Sequence, residues 1–305
     1  MTDPVVMLAL PAQLLQRPFT ADDARRYGVT VKQLRGRRCR RVFRGVYIGS
    51  EVELTVPLLA EAISLVLPAG AVVGRTTAAL LHGADVRAIG DAGIDIISLR
   101  EGQVRRAGIR SSAALLEHGD VVHIGNVALT SPIRTAFDLG RNRNPIEAVV
   151  GVDAMLNRGG ATLPALTAYL ATHRGWFGVR WAAEAITHAE PRSESPMESR
   201  QRMRLVYGGL PRPVAQHVLT TGATFVARLD HAYPEFKVAP EYDGEDHARS
   251  WRADLERQEA IRSLGWWHRR YTSATIRGGW EAMVQEVRAA LVARGWRPKD
   301  LANSH

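Results

Sequence analysis

The sequence predicts a mixed α/β protein built from three parts, and three features carry that prediction. The first fifty residues contain three short helical patterns, beginning with 11–17, of which the last two are separated by a glycine and followed by a hairpin pattern. A polar segment with a proline, 189–194, then interrupts the chain. Beyond it, the alternation of apolar residues that is typical of strands is interleaved with helical periodicity. The predicted parts are residues 1–50, 51–190 and 191–305.

The first part has the signals of a small helical module. Thr20 is suited to cap a helix that stops at Gly28, and Thr30 is suited to cap a further helix that runs to Arg38. The segment 41–48 then suits a short β-hairpin. Helices joined by a tight turn and followed by a hairpin are typical of a winged helix-turn-helix, whose last helix enters the major groove of DNA.

The basic residues of the chain are concentrated in this module. Residues 1–50 hold ten Lys/Arg against three acids, whereas residues 51–190 hold twelve against fourteen and residues 191–305 eighteen against fourteen. A local excess of positive charge is expected where a protein binds phosphates, although an arginine-rich composition would also produce it. The residues predicted to contact DNA are Lys32, Gln33, Arg35, Arg37, Arg38, Arg41 and Arg44. The alternative is a helical hairpin that packs on the rest of the protein and binds nothing.

The same region resembles a known family. The run 19–47, which ends in Arg-Gly-Val-Tyr, is similar to the winged-helix domain of AbiEi-type antitoxins, and so are the segments 74–83 and 130–138. The resemblance implies DNA as a partner, and it makes a toxin a further possible partner. The part 51–190 is expected to be mainly helical, with strands at 94–99 and 121–129, and to serve as a mixed α/β connector or a dimerisation domain.

The last part begins with a helix and continues with a three-stranded meander. Ser195 is the predicted N-cap and Glu198 the third helical residue, which is the spacing of a capping box. The meander places Asp230 on one strand, and Glu241 and Asp243 at the end of the next. Neighbouring carboxylates repel each other unless a cation lies between them, and Mg²⁺ takes one or two carboxylates together with water and phosphate oxygens.

This arrangement resembles the PD-(D/E)xK nuclease superfamily, and within it the branch related to very-short-patch repair endonucleases. The resemblance rests on Asp230, on the run Glu-Tyr-Asp-Gly at 241–244, on His247 and on the helical segment 252–266. It implies a restriction-endonuclease-like domain that hydrolyses DNA with Mg²⁺ or Mn²⁺.

The roles that this resemblance implies can be assigned residue by residue. Asp230, Glu241 and Asp243 are the expected metal ligands, although Asp243 stands where many relatives carry a catalytic lysine. His247 is expected to act as a general base or acid, since the pKa of histidine lies near neutrality. Glu198 matches an acidic residue on the first helix, and its alternative role is that of a capping-box glutamate. The expected catalytic set is therefore Asp230, Glu241, Asp243, His247 and Glu198.

Several other classes of protein are disfavoured. Cys39 is the one cysteine, so an internal disulfide is excluded and a cytoplasmic location is expected. The apolar stretch 57–74 is interrupted by Glu61 and Pro68, so no membrane span is predicted. The sequence contains no Cys/His spacing typical of zinc sites and no glycine-rich phosphate loop.

Two functions from different classes remain open. The first is metal-dependent cleavage of DNA, with the N-terminal module delivering the enzyme to the duplex. The second is a non-catalytic regulator or antitoxin-like protein with a degenerate nuclease fold, acting with a toxin or as a homo-oligomer. Carboxylates of Asp230, Glu241 and Asp243 that converge within reach of one metal favour the enzyme. Carboxylates that diverge, or that arginine occupies, favour the regulator.

Overall fold

A computed structural model describes residues 10–88, 90–98, 105–244 and 251–298, except for the side chains of 251–253. The helices are α1 Ala12–Leu15, α2 Ala21–Arg26, α3 Val31–Leu34, α4 Val56–Ser64, α5 Arg75–Leu81, α6 Pro132–Gly140, α7 Pro145–Asn157, α8 Leu163–Thr172, α9 Val179–Thr187, α10 Pro196–Tyr207, α11 Trp251–Ser263, α12 Ser273–Gly278 and α13 Trp280–Ala293. The strands are β1 Phe19–Thr20, β2 Cys39–Phe43, β3 Val46–Gly49, β4 Ala71–Val73, β5 Ile94–Ser98, β6 Ile109–Ser112, β7 Val121–Ile124, β8 Val127–Thr130, β9 Val214–Thr221, β10 Thr224–Ala232, β11 Val238–Tyr242 and β12 Trp267–Tyr271. The protein is thus mixed α/β, as predicted.

The chain divides into two compact units. One comprises Met1–Leu139 with Arg158–Leu166, and the other comprises Gly140–Asn157 with Thr167–His305. This division differs from the three parts predicted from the sequence, whose boundaries lay at residues 50 and 190. The packing on either side of those two positions explains the difference.

The N-terminal hairpin shares a core with the residues that follow it. Val42, Phe43 and Val46 of β2 and β3 belong to the same buried cluster as Leu59 and Ile63 of α4. The cluster continues into β4, α5, β5 and β8. Residue 50 therefore does not separate two independent cores, because the hairpin buries its apolar face against the next helix and sheet.

The helices α1, α2 and α3 and the hairpin of β2 and β3 follow one another as predicted, but α3 is shorter than expected and strand β1 was not predicted. Capping boxes form on both Thr20 and Thr30, which begin α2 and α3. Helix α3 ends at Leu34 instead of Arg38, because the chain turns at Gly36 and enters β2 at Cys39. Strand β1 pairs with β3, which gives a three-stranded sheet of order β1-β3-β2.

The middle of the chain contains more sheet than predicted. Five strands form a sheet of order β6-β5-β4-β8-β7. Strands β4 and β6 were not expected, because three apolar residues in β4 are too few to show alternation and β6 has a polar sequence. In α6, Arg134 Nε donates to Asp138 Oδ2 at 2.9 Å, and both side chains are buried.

In the second unit, helices that precede residue 190 pack against helices that follow it. Arg202 of α10 donates to Asp153 Oδ2 of α7 at 2.6 Å, and both side chains are almost completely buried. The predicted boundary at 190 therefore falls inside one packed unit. Within the described ranges of the chain, no helix is long and apolar enough to cross a membrane.

The C-terminal strands form two pairs. Strands β9 and β10 pair antiparallel, and β11 pairs with β12 in parallel. A single bridge, between Tyr233 and Val238, links the ends of β10 and β11. Pro240 lies in the middle of β11, where it removes one backbone donor, which suits a strand paired on one side. Gly279 separates the last two helices, α12 and α13.

Candidate functional site

Three of the predicted acidic residues come from three adjacent elements of the second unit. Glu198 lies in the first turn of α10, Asp230 near the end of β10 and Glu241 near the end of β11. Their charges are coupled, because both Glu241 and Glu198 raise the pKa of Asp230. We refer to these three residues as the acid cluster.

Asp230 carries little compensating charge. Its Oδ2 accepts a hydrogen bond from the backbone N–H of Tyr242 at 3.1 Å. Burial, followed by repulsion from Glu241 and Glu198, raises the pKa of Asp230 to about 7. The position of the carboxyl is thus fixed by the next strand, while its ionisation is disfavoured.

Glu241 is in the opposite electrostatic state. Arg257 of α11 donates to both carboxylate oxygens, at 2.7 and 3.0 Å, and His268 Nε2 of β12 lies 2.6 Å from Oε2. Burial alone would raise the pKa of Glu241, but the bonds from His268 and Arg257 outweigh it and lower the pKa to about 2. Glu241 is therefore a fixed, compensated anion although only 4% of it is exposed.

Asp243 forms an ion pair with a different arginine. Its Oδ1 pairs with Arg270 of β12, and the same guanidinium donates to Asp254 Oδ2 of α11 at 2.5 Å. Among the residues that the structure describes, no group of three or more His, Cys, Asp or Glu side chains could hold a metal ion. The predicted ligand set of Asp230, Glu241 and Asp243 is therefore not gathered around one point, because two arginines occupy two of its members.

Glu198 is held by its own helix and by a neighbouring strand. Ser195 Oγ accepts from the Glu198 N–H at 3.2 Å, as predicted for the N-cap. The Glu198 carboxylate does not complete the predicted capping box: its Oε2 accepts from the backbone N–H of Glu194 at 3.0 Å and from Gln216 Nε2 at 2.8 Å. Burial is the main reason why the pKa of Glu198 is raised.

Sequence reasoning missed several residues that support the cluster. Gln201, one helical turn after Glu198, donates to the Glu241 carbonyl at 3.3 Å, and its Oε1 lies 3.1 Å from Nδ1 of the fully buried His231. His268 was missed as well. Arg257, in the helical segment 252–266, is a candidate that the sequence offers for the positive charge of the absent lysine, but its pairing with Glu241 depends on the fold.

His247, the predicted proton-transfer residue, lies outside the described residues. The described members of the acid cluster nevertheless differ strongly in protonation. At neutral pH, Glu241 is ionised, whereas burial and the neighbouring carboxylates shift Asp230 towards its protonated form. Carboxyl groups whose environments separate their pKa values in this way are frequent at catalytic sites, and also in structural ion-pair networks.

The predicted DNA contacts lie in the other unit, and six of the seven are exposed. These six are Lys32, Arg35, Arg37, Arg38, Arg41 and Arg44. Gln33 is different, because its Oε1 accepts from the backbone N–H of Thr30 at 2.7 Å and so completes a helix cap. At the hairpin tip, Arg44 N–H donates to the Ala92 carbonyl at 3.0 Å, which ties the tip to the five-stranded sheet.

Comparisons with known proteins identify relatives without assigning a role. No family model matches the chain. Two uncharacterized proteins of Mycobacterium tuberculosis, MT2308 and Rv2248, are each 29% identical to it over 233 residues. The aligned region covers 74% of this chain and 82% of each relative. The chain is therefore similar to mycobacterial proteins over most of its length.

Proposed function

We propose that the protein binds DNA through its N-terminal module and hydrolyses DNA phosphodiester bonds at the acid cluster. The proposal also assigns the N-terminal module to the AbiEi-like winged helices and the C-terminal elements to the PD-(D/E)xK nucleases. The observation that carries it is the position of Asp230, a buried carboxyl next to two further carboxyl groups, with its pKa raised to about 7. The charge of Arg257 offsets only part of this penalty, and buried negative charge that is not fully offset is costly unless it serves to bind a cation or a proton.

Mg²⁺ or Mn²⁺ fits part of the cluster. Asp230 and Glu198 are the two members whose pKa values are raised, so their anionic forms lack sufficient positive charge. Two carboxylates are enough for Mg²⁺, which fills its remaining positions with water and phosphate oxygens. We therefore assign the cation to Asp230 and Glu198. When bound, such a cation supplies Lewis-acid stabilisation of the charge that develops on the phosphate.

The other residues would hold this pair in place. Arg257 and His268 fix Glu241, which keeps a permanent negative charge beside Asp230. Hydrolysis forms a bond from water oxygen to phosphorus, breaks one P–O ester bond and requires a proton for the leaving oxygen. His247 remains our predicted proton-transfer residue, since histidine can exchange protons near neutral pH.

A second function is favoured by a specific observation. Arg257 occupies both oxygens of Glu241, and Arg270 pairs with Asp243. Occupation of these carboxylates by arginine favours a non-catalytic regulator or antitoxin-like protein, with a toxin or a second copy of the chain as partner. In that case DNA binding is retained and the acid cluster is structural. The free thiol of Cys39 suits a cytoplasmic location under either function.

Cleavage assays on several DNA forms distinguish the two functions. Wild-type protein would be incubated with supercoiled, linear, single-stranded, mismatched and branched DNA, each with Mg²⁺, Mn²⁺ or EDTA. DNA binding would be measured in parallel on the same substrates. Metal-dependent cleavage of any form supports the nuclease. Binding without cleavage on every form rejects it and selects the regulator.

A further inference from the structure

Gln216, on β9, has an unusual backbone conformation. Its φ is +52°, in the left-handed region that side chains other than glycine rarely adopt. The antiparallel register pairs Ala215 with His231 and His217 with Leu229, so Gln216 falls opposite Asp230. The strained residue of β9 therefore lies directly beside the acid cluster. Strain of this kind persists only where the surrounding structure enforces it, and it is concentrated at functional sites.

Only one of the two polar groups in the Gln216 side chain has a hydrogen-bond partner among the described residues. Its Nε2 donates to Glu198 Oε2 at 2.8 Å. Its Oε1 is buried and has no hydrogen-bond partner in the described part of the chain. A buried amide oxygen without a donor is costly, and a bound water molecule would supply the donor that the described residues do not.

From these observations we propose that Gln216 is a positioning residue that orients the Glu198 carboxylate through Nε2 and a water molecule through Oε1. The water lies beside Glu198 and is the one delivered to the phosphodiester. The inference rests on the proposed function, because the water serves the hydrolysis assigned to the acid cluster.

Two substitutions separate positioning from support of the fold. Gln216→Asn keeps an amide and tolerates a left-handed backbone well, but it is one methylene too short to reach Glu198. Gln216→Gly removes the side chain and relieves the strain. If Gln216 orients Glu198 and the water molecule without supporting the fold, both variants should melt at or above the wild-type temperature. Both should also lose at least tenfold in kcat while KM for DNA is unchanged. Lys237→Gly is the matched control, because Lys237 has a φ of +49° and its Nζ donates to the Leu264 carbonyl, away from the acid cluster.

Other results would overturn either the role of Gln216 or the proposed function. A fall in melting temperature in both variants, or wild-type kcat in Gln216→Asn, overturns the inference. Absence of cleavage by the wild type on every DNA form rejects the proposed function instead. The delivery of water to the phosphodiester falls with it, and the orientation of Glu198 by Gln216 is then decided by Mn²⁺ calorimetry together with the melting temperatures. Weaker Mn²⁺ binding by Gln216→Asn at an undiminished melting temperature supports positioning, and any other combination rejects it.

Discussion

Asp230 and Glu241 are neighbouring carboxyl groups with opposite surroundings. Glu241 has a guanidinium and an imidazole within hydrogen-bond distance. Asp230 accepts from one backbone N–H, and the repulsion of its two acidic neighbours outweighs the attraction of Arg257. The difference fixes which carboxyl group can respond to pH or to a cation.

Asp230 should make the protein less stable as the pH rises. An aspartate has a pKa of about 3.9 in an unfolded chain, and its folded value here is about 7. Between these values the folded state binds more protons than the unfolded state, so the free energy of unfolding falls as pH increases. Asp230→Asn removes this dependence, and its stability relative to the wild type should increase from pH 5 to pH 8.

The measurement is urea unfolding of both proteins at pH 5 and pH 8 in EDTA. Glu259→Gln, an exposed position on α11, is the control and should follow the wild type at both pH values. If the difference between Asp230→Asn and the wild type does not change with pH, the uncompensated state of Asp230 is refuted.

Replacing Arg257 should destabilise the protein, because the Glu241 carboxylate then remains buried without its ion-pair partner. Arg257→Met removes the bidentate partner of the buried Glu241, and the loss of one member of a buried ion pair costs about 3–5 kcal/mol. The double variant with Glu241→Gln should recover most of that loss, because no anion remains buried. Urea unfolding of the single and double variants measures both values. Equal stability of Arg257→Met and the wild type would contradict the assigned pair.

Glu198→Gln distinguishes a helix cap from a cation ligand. Glutamine can still accept from the backbone N–H of Glu194, and the Ser195 cap is unchanged. We therefore expect a melting temperature close to that of the wild type. Loss of one carboxylate ligand should lower the cleavage rate at least about tenfold, which corresponds to about 1.4 kcal/mol in the barrier. Unaltered cleavage would contradict the assignment of Glu198 as a cation ligand and leave it a purely structural residue.

At the scale of elements, helix starts were the best predicted features and long-range partners the worst. Thr20, Thr30 and Ser195 begin helices as predicted, because an N-cap is specified by residues three positions apart. Arg257 and His268 lie 16 and 27 residues from Glu241. No local pattern encodes such contacts, since they form only when α11 and β12 pack beside β11.

The same limit explains the unpredicted elements of the first unit. Strand β4 has three residues and pairs with β5 and β8 on its two sides. Its existence depends on those neighbours and not on its own alternation. The short α3 has a similar cause: the periodic pattern continues past Leu34, but the turn at Gly36 directs the chain into the hairpin.

The basic segment after α3 should carry the DNA affinity. Arg35, Arg37 and Arg38 are exposed, and each lost phosphate contact lowers the slope of log K against log salt by about 0.9. Changing all three to glutamine should therefore reduce the magnitude of this negative slope by up to about 2.7 and weaken binding. The measurement is fluorescence anisotropy on duplex DNA between low and moderate salt.

A control variant with the same change in net charge tests location. Arg277, Arg294 and Arg297 are exposed in the second unit, and their replacement by glutamine removes three charges elsewhere. This control should keep a slope close to the wild-type value. If the slope of log K against log salt becomes equally shallow in both triple variants, DNA binding does not depend on the N-terminal module.

At the scale of the whole molecule, the predicted DNA contacts and the acid cluster belong to different compact units. Their functions should therefore be separable by substitution. Asp230→Asn removes a negative charge from the proposed phosphate site and leaves the basic residues of the first unit unchanged. This variant should bind DNA at least as tightly as the wild type.

Nicking of a supercoiled plasmid by wild type and Asp230→Asn, at concentrations where both bind the DNA fully, tests the central claim most directly. The wild type should convert the plasmid to nicked or linear forms with Mg²⁺ or Mn²⁺, and EDTA should stop the conversion. Asp230→Asn should shift the plasmid in a gel without cutting it. An intact plasmid with wild-type protein, or equal cutting by both proteins, would contradict hydrolysis at the acid cluster.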